Sequence, residues 1–173
     1  FIEEAVDSVI NQTFQNFEII VVDDGSPDTE TQKVLKEIIE NKPKTRVIYQ
    51  ENQRLPKTRN NGIREAKGKY ICCLDADDML EPTYLEMCVL KMEVEMLDQC
   101  TTWFKEFGDS DQLFQTHQLT LQEIVNVNSQ QVASVFTKEI WEKSGGYCET
   151  MEVQGYEDWE FWIKIAKLGG RAG

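Results

Sequence analysis

The chain has 173 residues, 40% of them hydrophobic, which is enough for one globular domain with a substantial core. Its 18 Lys and Arg residues face 31 Asp and Glu residues, giving a net charge of -13. Such a surface repels phosphate backbones, which argues against nucleic acid as a partner. Five cysteines without a CxxC pair predict thiols in a reducing compartment. We therefore expect a cytoplasmic location; any association with the cytoplasmic face of a membrane would need segments outside these residues.

The first third of the chain alternates helical and strand patterns. Apolar residues recur at helical spacing near the start, and the run FEIIVV at 17–22 predicts a buried strand. The dipeptide Ser26-Pro27 has the residue types of a helix N-cap and first helical position. We expect, in order, a helix over 2–10, this strand, a helix from Ser26, a strand over 46–50 and a helix ending at Gly68.

The same alternation continues through the rest of the chain. Apolar runs and helical spacings predict strands at 70–74 and 132–136 and helices at 84–96, 138–143 and 157–168, while 99–128 carries weak signals. This order predicts an α/β fold with an open, mostly parallel sheet and helices on both faces. Because such sheets normally open on a strand, we expect a further strand before the first residue.

Three carboxylates follow the strand predicted at 70–74. Ligands of open parallel sheets bind beyond the carboxyl ends of the strands, where Asp75, Asp77 and Asp78 are expected. The three groups repel each other unless a cation lies among them. The alternative is a solvated acidic turn, with Asp78 and Glu81 beginning the next helix.

Two further acidic pairs stand at element boundaries. Asp23 and Asp24 end the strand at 17–22, and they could bind a ligand or simply cap the turn that follows. Glu157 and Asp158 begin the last helix, where acids also suit the helix dipole.

The three segments VVDDGS, LDADD and GYEDWEFW, in this order, closely resemble family 2 glycosyltransferases with the GT-A fold. The resemblance covers most of the chain and is loosest over 99–128. It implies transfer of a sugar from a nucleoside-diphosphate sugar, with UDP-sugar favoured, to a hydroxyl of a glycan, lipid or protein acceptor, with inversion. Residues 1–173 would form a single, partial GT-A catalytic domain, because the family also has an opening strand and continues beyond the last helix.

The resemblance assigns the metal and donor roles. Asp77 would ligate a divalent metal, Asp75 would bind the metal or the nucleotide, and Asp78 would support them. Hard oxygen ligands favour Mn or Mg. The metal would stabilise the leaving diphosphate.

The same resemblance places the nucleotide base at Asp24, with Asp23 beside it. Arg54 and Arg59 could reach the nucleotide or its diphosphate. As exposed helix residues they could equally be solvated.

Asp158 matches the catalytic base of the family. It stands four residues before Trp162, so we expect it to face inward, toward the apolar side of the helix. Glu157 is assigned to the substrate side of the site and to capping the helix.

Two other functions remain open at this point. A phospho-acceptor receiver domain also has strands that end in Asp residues, although no Lys-Pro follows a late strand here. A non-catalytic sugar-nucleotide-binding remnant would retain the same motifs without turnover.

Overall fold

The computed structural model of the protein describes residues 1–153 and 155–173. The chain forms two compact units, the first built from Phe1–Gly68 and Leu74–Glu86, the second from Lys69–Cys73 and Met87–Gly173. Each unit contains both helices and short strands, and the α/β fold class is confirmed.

The first unit is built on a parallel pair of strands. Its elements are α1 (Ile2–Ile10), β1 (Ile19–Asp23), α2 (Thr29–Asn41), β2 (Thr45–Tyr49) and α3 (Leu55–Glu65). β1 and β2 are in parallel register from Ile19 opposite Thr45 to Asp23 opposite Tyr49. The predicted β-α-β order of this unit is therefore correct, with each boundary within two or three residues.

Two predicted helix boundaries are wrong. The N-cap of α2 is Asp28, whose Oδ1 accepts from the Thr31 N–H at 2.7 Å, so Ser26 is not the cap. The backbone of Ser26 is instead held by Asp23, as described below. Helix α3 ends at Glu65, and Gly68 is not in the left-handed region, because Ala66 has already turned the chain into an extended conformation.

The second unit contains the remaining strands and helices. They are β3 (Tyr70–Cys72), α4 (Tyr84–Glu95, beginning in the first unit), β4 (Gln99–Cys100), β5 (Phe104–Lys105), β6 (Leu113–Phe114), α5 (Leu121–Ile124), β7 (Val135–Thr137), α6 (Lys138–Ser144) and α7 (Glu157–Lys167). β7 lies between β3 and β4 and is antiparallel to both, a pairing that the sequence patterns did not assign.

The core of the second unit centres on the predicted last helix. Phe161, Trp162 and Ile165 of α7 are each at most 1% exposed. Phe136 of β7 packs edge-on against the rings of Phe161 and Trp162, at centroid distances of 5.1 and 5.9 Å. The buried face of α7 is therefore centred one position from the predicted stripe, because Trp159 is only half-buried.

The five cysteines are all free thiols, as expected. In the described part of the chain, no helix is long and apolar enough to cross a membrane.

Candidate functional site

The turn at residues 23–26, which follows β1 and is here named the corner, fixes the carboxylate of Asp23 by local hydrogen bonds. Asp23 is buried, and its two oxygens accept from the Ser26 N–H at 3.0 Å and from Gln32 Nε2 at 2.9 Å. Burial by itself would raise the pKa of Asp23, but these hydrogen bonds outweigh it and hold the pKa below 3.8. The carboxylate of Asp23 thus fixes the turn and the first residues leading to α2.

Asp24 is oriented by the residues that follow β2. Its Oδ1 accepts from Gln50 Nε2 at 2.6 Å and from the Gln53 N–H at 2.9 Å. Gln50 is itself fixed from α3, where Asn61 Nδ2 donates to its Oε1 at 2.8 Å and Thr58 Oγ1 lies 3.2 Å from its Nε2. Among residues 1–153 and 155–173, no hydrogen-bond donor lies on Oδ2 of Asp24. One carboxylate oxygen is therefore available to a ligand.

The same corner requires a glycine after Asp24. Gly25 has a φ of +83°, and a Cβ added there would lie 3.0 Å from the backbone nitrogen of Asn52. A side chain would be strained by the φ and would collide with backbone that cannot move aside. Gly25 thus keeps Asp24 close to the segment that orients it.

The second acidic group is the turn at residues 75–78, here named the acidic turn. The Asp78 N–H donates to the Asp75 carbonyl at 3.1 Å and closes the turn. Burial raises the pKa of Asp78, and the charges of Asp75 and Asp77 raise it further. The three carboxylates therefore repel each other, as the sequence predicts.

Arg59 compensates part of this charge. Its Nη2 lies 2.9 and 3.3 Å from the two oxygens of Asp75, and its side chain is only 8% exposed. The prediction that Arg59 is an exposed helix residue is wrong, because this ion pair draws it toward the acidic turn. Thr58, the preceding residue, contacts Gln50, so two consecutive residues of α3 touch the Asp24 network and the acidic turn.

Arg54 differs from the prediction in another way. It precedes α3 rather than lying within it, its side chain is exposed, and its φ and ψ are 69° and 158°. This backbone region is essentially restricted to glycine, so holding an arginine there costs free energy.

Asp77 is the exposed member of the acidic turn. Within the described residues its carboxylate has no hydrogen-bond or ion-pair partner, and Asp75 and Asp78 stand beside it in the turn. No group of three or more His, Cys, Asp or Glu side chains in the described residues could hold a metal ion by itself. Such a set is not needed when a nucleotide takes part, since Mg²⁺ typically binds one or two carboxylates together with substrate phosphates.

The acidic pair of α7 is arranged opposite to the prediction. Glu157 is the inward residue, 6% exposed, and its Oε2 accepts from the Gly155 N–H at 2.9 Å. Asp158 is half-buried; its Oδ1 accepts from the Trp159 N–H at 2.7 Å and its Oδ2 lies 3.4 Å from Asn128 Nδ2. The expectation that Asp158 faces inward is wrong: Asp158 is half-buried, whereas Glu157, four residues before the fully buried Phe161, is the inward acid. Gly155 precedes α7, so this bond ties Glu157 to the segment before the helix, and the capping role of Glu157 stays a prediction.

The structure thus groups the predicted residues within each unit. The first unit assembles Asp23, Asp24, Arg59 and the acidic turn around the N-terminal half of α3, and the second unit contains the pair at the start of α7. Sequence reasoning missed Gln50 and Gln32, because an isolated glutamine carries no motif. A shallow cavity of about 450 Å³ contains none of the predicted site residues in its lining, which consists of Ile48, Gln50, Asn61, Arg64 and Glu65.

Most of the chain matches a known enzyme family. Residues 1–150 match the model of glycosyl transferase family 2. The chain belongs to this family. Glu157 and Asp158 lie past the matched range, so the family match does not test their roles.

Relatives within the glycosyltransferases match most of the chain. It is 27% identical over 174 residues to the chondroitin synthase of Escherichia coli, covering 98% of this chain and 25% of the relative. It is 25% identical over 174 residues to a hyaluronan synthase of Pasteurella multocida, covering 98% and 18%. The uncharacterised glycosyltransferase YibD of Escherichia coli is 37% identical over 118 residues, covering 66% and 34%. The chain therefore spans between 18% and 34% of the length of these relatives.

Solved structures share the GT-A fold of this family. S. aureus TarS residues 1–349 align with a TM-score of 0.78 and 23% identity, covering 99% of this chain and 53% of TarS 1–349. The same TarS fragment in complex with UDP-GlcNAc aligns with a TM-score of 0.80 and 22% identity, covering 99% and 51%. At these identities the likeness shows the fold alone.

Proposed function

We propose that these residues form the donor-binding and catalytic part of a glycosyltransferase that moves a sugar from a UDP-sugar to an acceptor hydroxyl with inversion, assisted by Mn or Mg. Membership of the family supports sugar transfer, and TarS, which shares the fold, is described in complexes with UDP and UDP-GlcNAc. The names chondroitin synthase and hyaluronan synthase favour a glycan among the acceptor classes.

One observation carries the donor assignment. Thr58 and Arg59 of α3 touch the Asp24 network and the acidic turn, while Oδ2 of Asp24 and the carboxylate of Asp77 have no protein donor in the described residues. In the proposal, Asp24 accepts the N–H of uracil, because a carboxylate accepts and cannot donate. Asp23 supports it from the turn, and Arg54, the exposed residue immediately before α3, could bind phosphate oxygens.

The acidic turn fits a divalent cation. Asp77 offers an exposed carboxylate. Asp75, whose negative charge is partly balanced by its ion pair with Arg59, offers a second oxygen ligand. Cation binding would also relieve the repulsion that raises the pKa of Asp78. When bound, the metal would supply charge stabilisation for the leaving diphosphate. Arg59 would keep Asp75 in place while the metal and the phosphates bind.

Asp158 is the proposed catalytic base. Asp158 is half-buried whereas Glu157 is only 6% exposed, so Asp158 is the member of the pair that an acceptor hydroxyl can approach more easily. A single base that activates the acceptor for direct attack on the anomeric carbon gives inversion, because one displacement inverts the centre once. Membership of the family sets aside the receiver-domain alternative, whereas the non-catalytic remnant must be tested by turnover.

The test is sugar transfer and UDP affinity in the full-length protein. Asp158→Asn should reduce turnover by about 10²–10⁴-fold and leave UDP affinity unchanged, because a positioned base contributes this much to the rate. Glu157→Gln is the matched control and should cost much less, since the amide oxygen can still accept from Gly155. Near-normal turnover in Asp158→Asn would place the base elsewhere, and no turnover in the wild type with intact UDP binding would support the remnant.

A further inference from the structure

The second unit carries an exposed aromatic surface that the proposed donor and base roles do not use. It is the hairpin of β5 and β6, residues 103–114, here named the aromatic hairpin. Phe104 and Phe114 stand directly opposite each other in its antiparallel register, with ring centroids 4.8 Å apart and planes within 6°. Trp103 and Phe107 are each 55% exposed. Phe104 and Phe114 are half-buried and stack on each other, whereas burial does not account for the exposed rings of Trp103 and Phe107.

An isolated two-stranded hairpin gains little from exposed aromatic side chains. Such hairpins are at best marginally stable in water, and exposed apolar surface on a monomer commonly marks a binding site. Trp141 and Trp162 of the same unit are both buried, so exposure is not general for its indoles. The exposure of Trp103 therefore calls for a partner.

The charges on the aromatic hairpin restrict that partner. Lys105 forms an ion pair with Asp111 and is the hairpin's single cation against three carboxylates: Glu106, Asp109 and Asp111. Together with a net charge of -13, this repels anionic lipids, nucleic acids and uronate-containing polymers. An uncharged partner with an apolar face is compatible. A neutral pyranose meets both conditions, because its axial C–H bonds form an apolar face that stacks on indole and phenyl rings.

The base of the hairpin is connected to the proposed catalytic base. Gln131 Nε2 donates to the carbonyl of Thr102, the residue before Trp103, at 3.3 Å. Asn128, three residues earlier, has its Nδ2 3.4 Å from Asp158 Oδ2. Three Cα–Cα steps span at most about 11 Å. One short segment thus contacts both the start of the aromatic hairpin and Asp158.

We propose that the aromatic hairpin binds uncharged sugar units of the acceptor glycan, with Trp103 as the main stacking surface and Phe107 as the second. This inference rests on the proposed function, since it names the acceptor class of that reaction. In this inference Trp103 contributes to the affinity for the acceptor, whereas Asp158 acts as the base and the residues of the first unit bind the donor.

The test is equilibrium binding of oligosaccharides to the full-length protein without donor. The probes are chitotetraose and maltotetraose as neutral glycans and a hyaluronan tetrasaccharide as the uronate-containing one. We expect at least one neutral probe to bind more tightly than the hyaluronan probe and to protect Trp103 from acrylamide quenching. Trp103→Ala should weaken that binding by about tenfold, whereas Trp103→Phe, which retains a ring, should bind nearly normally. Leu113→Ala is the control, because it removes exposed apolar surface from the same hairpin without removing an aromatic ring.

Each other outcome overturns the inference. Binding of the neutral probe that is unchanged in Trp103→Ala, or no binding of either neutral probe to the wild type, would do so. So would loss of self-association or of binding to anionic phospholipid vesicles in Trp103→Ala without an effect on glycan binding. UDP affinity is measured in parallel, and its absence in the wild type would instead count against the proposed function, so the two failures are distinguishable.

Discussion

The corner after β1 and the acidic turn both place adjacent carboxylates in the first unit, but their surroundings differ. At the corner, Asp23 accepts from Ser26 and Gln32, and Asp24 accepts from Gln50 and Gln53. At the acidic turn, Arg59 is the cation bound to Asp75, while Asp77 has no partner in the described residues. Local hydrogen bonds thus lower the pKa of Asp23 at the corner, whereas burial, followed by the charges of Asp75 and Asp77, raises the pKa of Asp78 at the turn.

The difference separates two uses of acidic residues. A carboxylate whose donors come from the protein positions the backbone and needs no further partner. Carboxylates that repel each other are more stable when a cation binds. The corner is therefore organised by protein donors alone, whereas the acidic turn retains a repulsion that a bound cation would relieve.

The largest expected effect on stability is at the corner. Asp23→Ala removes the acceptor of two hydrogen bonds to a charged group, and we expect the free energy of unfolding at pH 7 to fall by about 2–3 kcal/mol. Chemical denaturation of the full-length protein measures it. Asp23→Asn retains one acceptor oxygen and should lose less. An effect within error for Asp23→Ala would mean that the corner does not depend on this carboxylate.

The same residue predicts a dependence of stability on pH. Because the pKa of Asp23 is lower in the folded protein than its usual 3.8, the folded state binds fewer protons than the unfolded state in that range. Its stabilisation is complete above pH 3.8 and is lost as the pH falls through the folded-state pKa. The stability difference between wild type and Asp23→Asn should therefore shrink on acidification below pH 3.8, and a difference that grows would contradict the assignment.

The next effect concerns the cation of the acidic turn. Arg59→Met should lower the free energy of unfolding by about 1–2 kcal/mol, because it leaves Asp75 beside Asp77 and Asp78; the partial exposure of Asp75 limits the loss. In the Asp75→Asn background the same substitution should cost clearly less. Equal costs in both backgrounds would show that Arg59 stabilises the unit by packing alone.

A smaller effect, of opposite sign, is expected at Arg54. Its φ of 69° and ψ of 158° suit glycine, so Arg54→Gly should raise the free energy of unfolding by about 1 kcal/mol. If Arg54 binds the donor phosphates, the same variant should weaken UDP binding. Thermal unfolding with and without UDP separates the two effects, and a destabilised Arg54→Gly would show that the backbone strain is compensated by the arginine side chain.

The local patterns of the sequence predicted much of this fold. The strand at β1, the helices at α6 and α7 and the acids at strand ends depend on residue type and short-range spacing. The antiparallel pairing of β7 with β3 could not be predicted, because it joins segments more than 60 residues apart in the chain. Tyr70, for example, lies opposite Thr137. Element order alone favoured a parallel sheet.

The candidate site could be predicted in its acids but not in its supporting residues. Gln50 and Gln32 act through side-chain hydrogen bonds that only the folded backbone brings into reach. The inward residue of α7 was assigned to Asp158 instead of Glu157, because the apolar face of this helix is wide and its centre cannot be fixed within one residue by spacing. The backbone conformation of Arg54, which is typical of glycine, could not be predicted because the residue there is an arginine.

The central claim is that the acidic turn binds a cation together with UDP, and Asp77 tests it most directly. The measurement is the thermal shift of the full-length protein with UDP, with and without Mn²⁺. At 100 times the dissociation constant, binding should stabilise the wild type by about 2.7 kcal/mol. Asp77→Asn should lose the part of this shift that requires Mn²⁺. Asp28→Asn, which changes the exposed cap of α2, should lower the midpoint and retain the shift. A full Mn²⁺-dependent shift in Asp77→Asn would contradict the account.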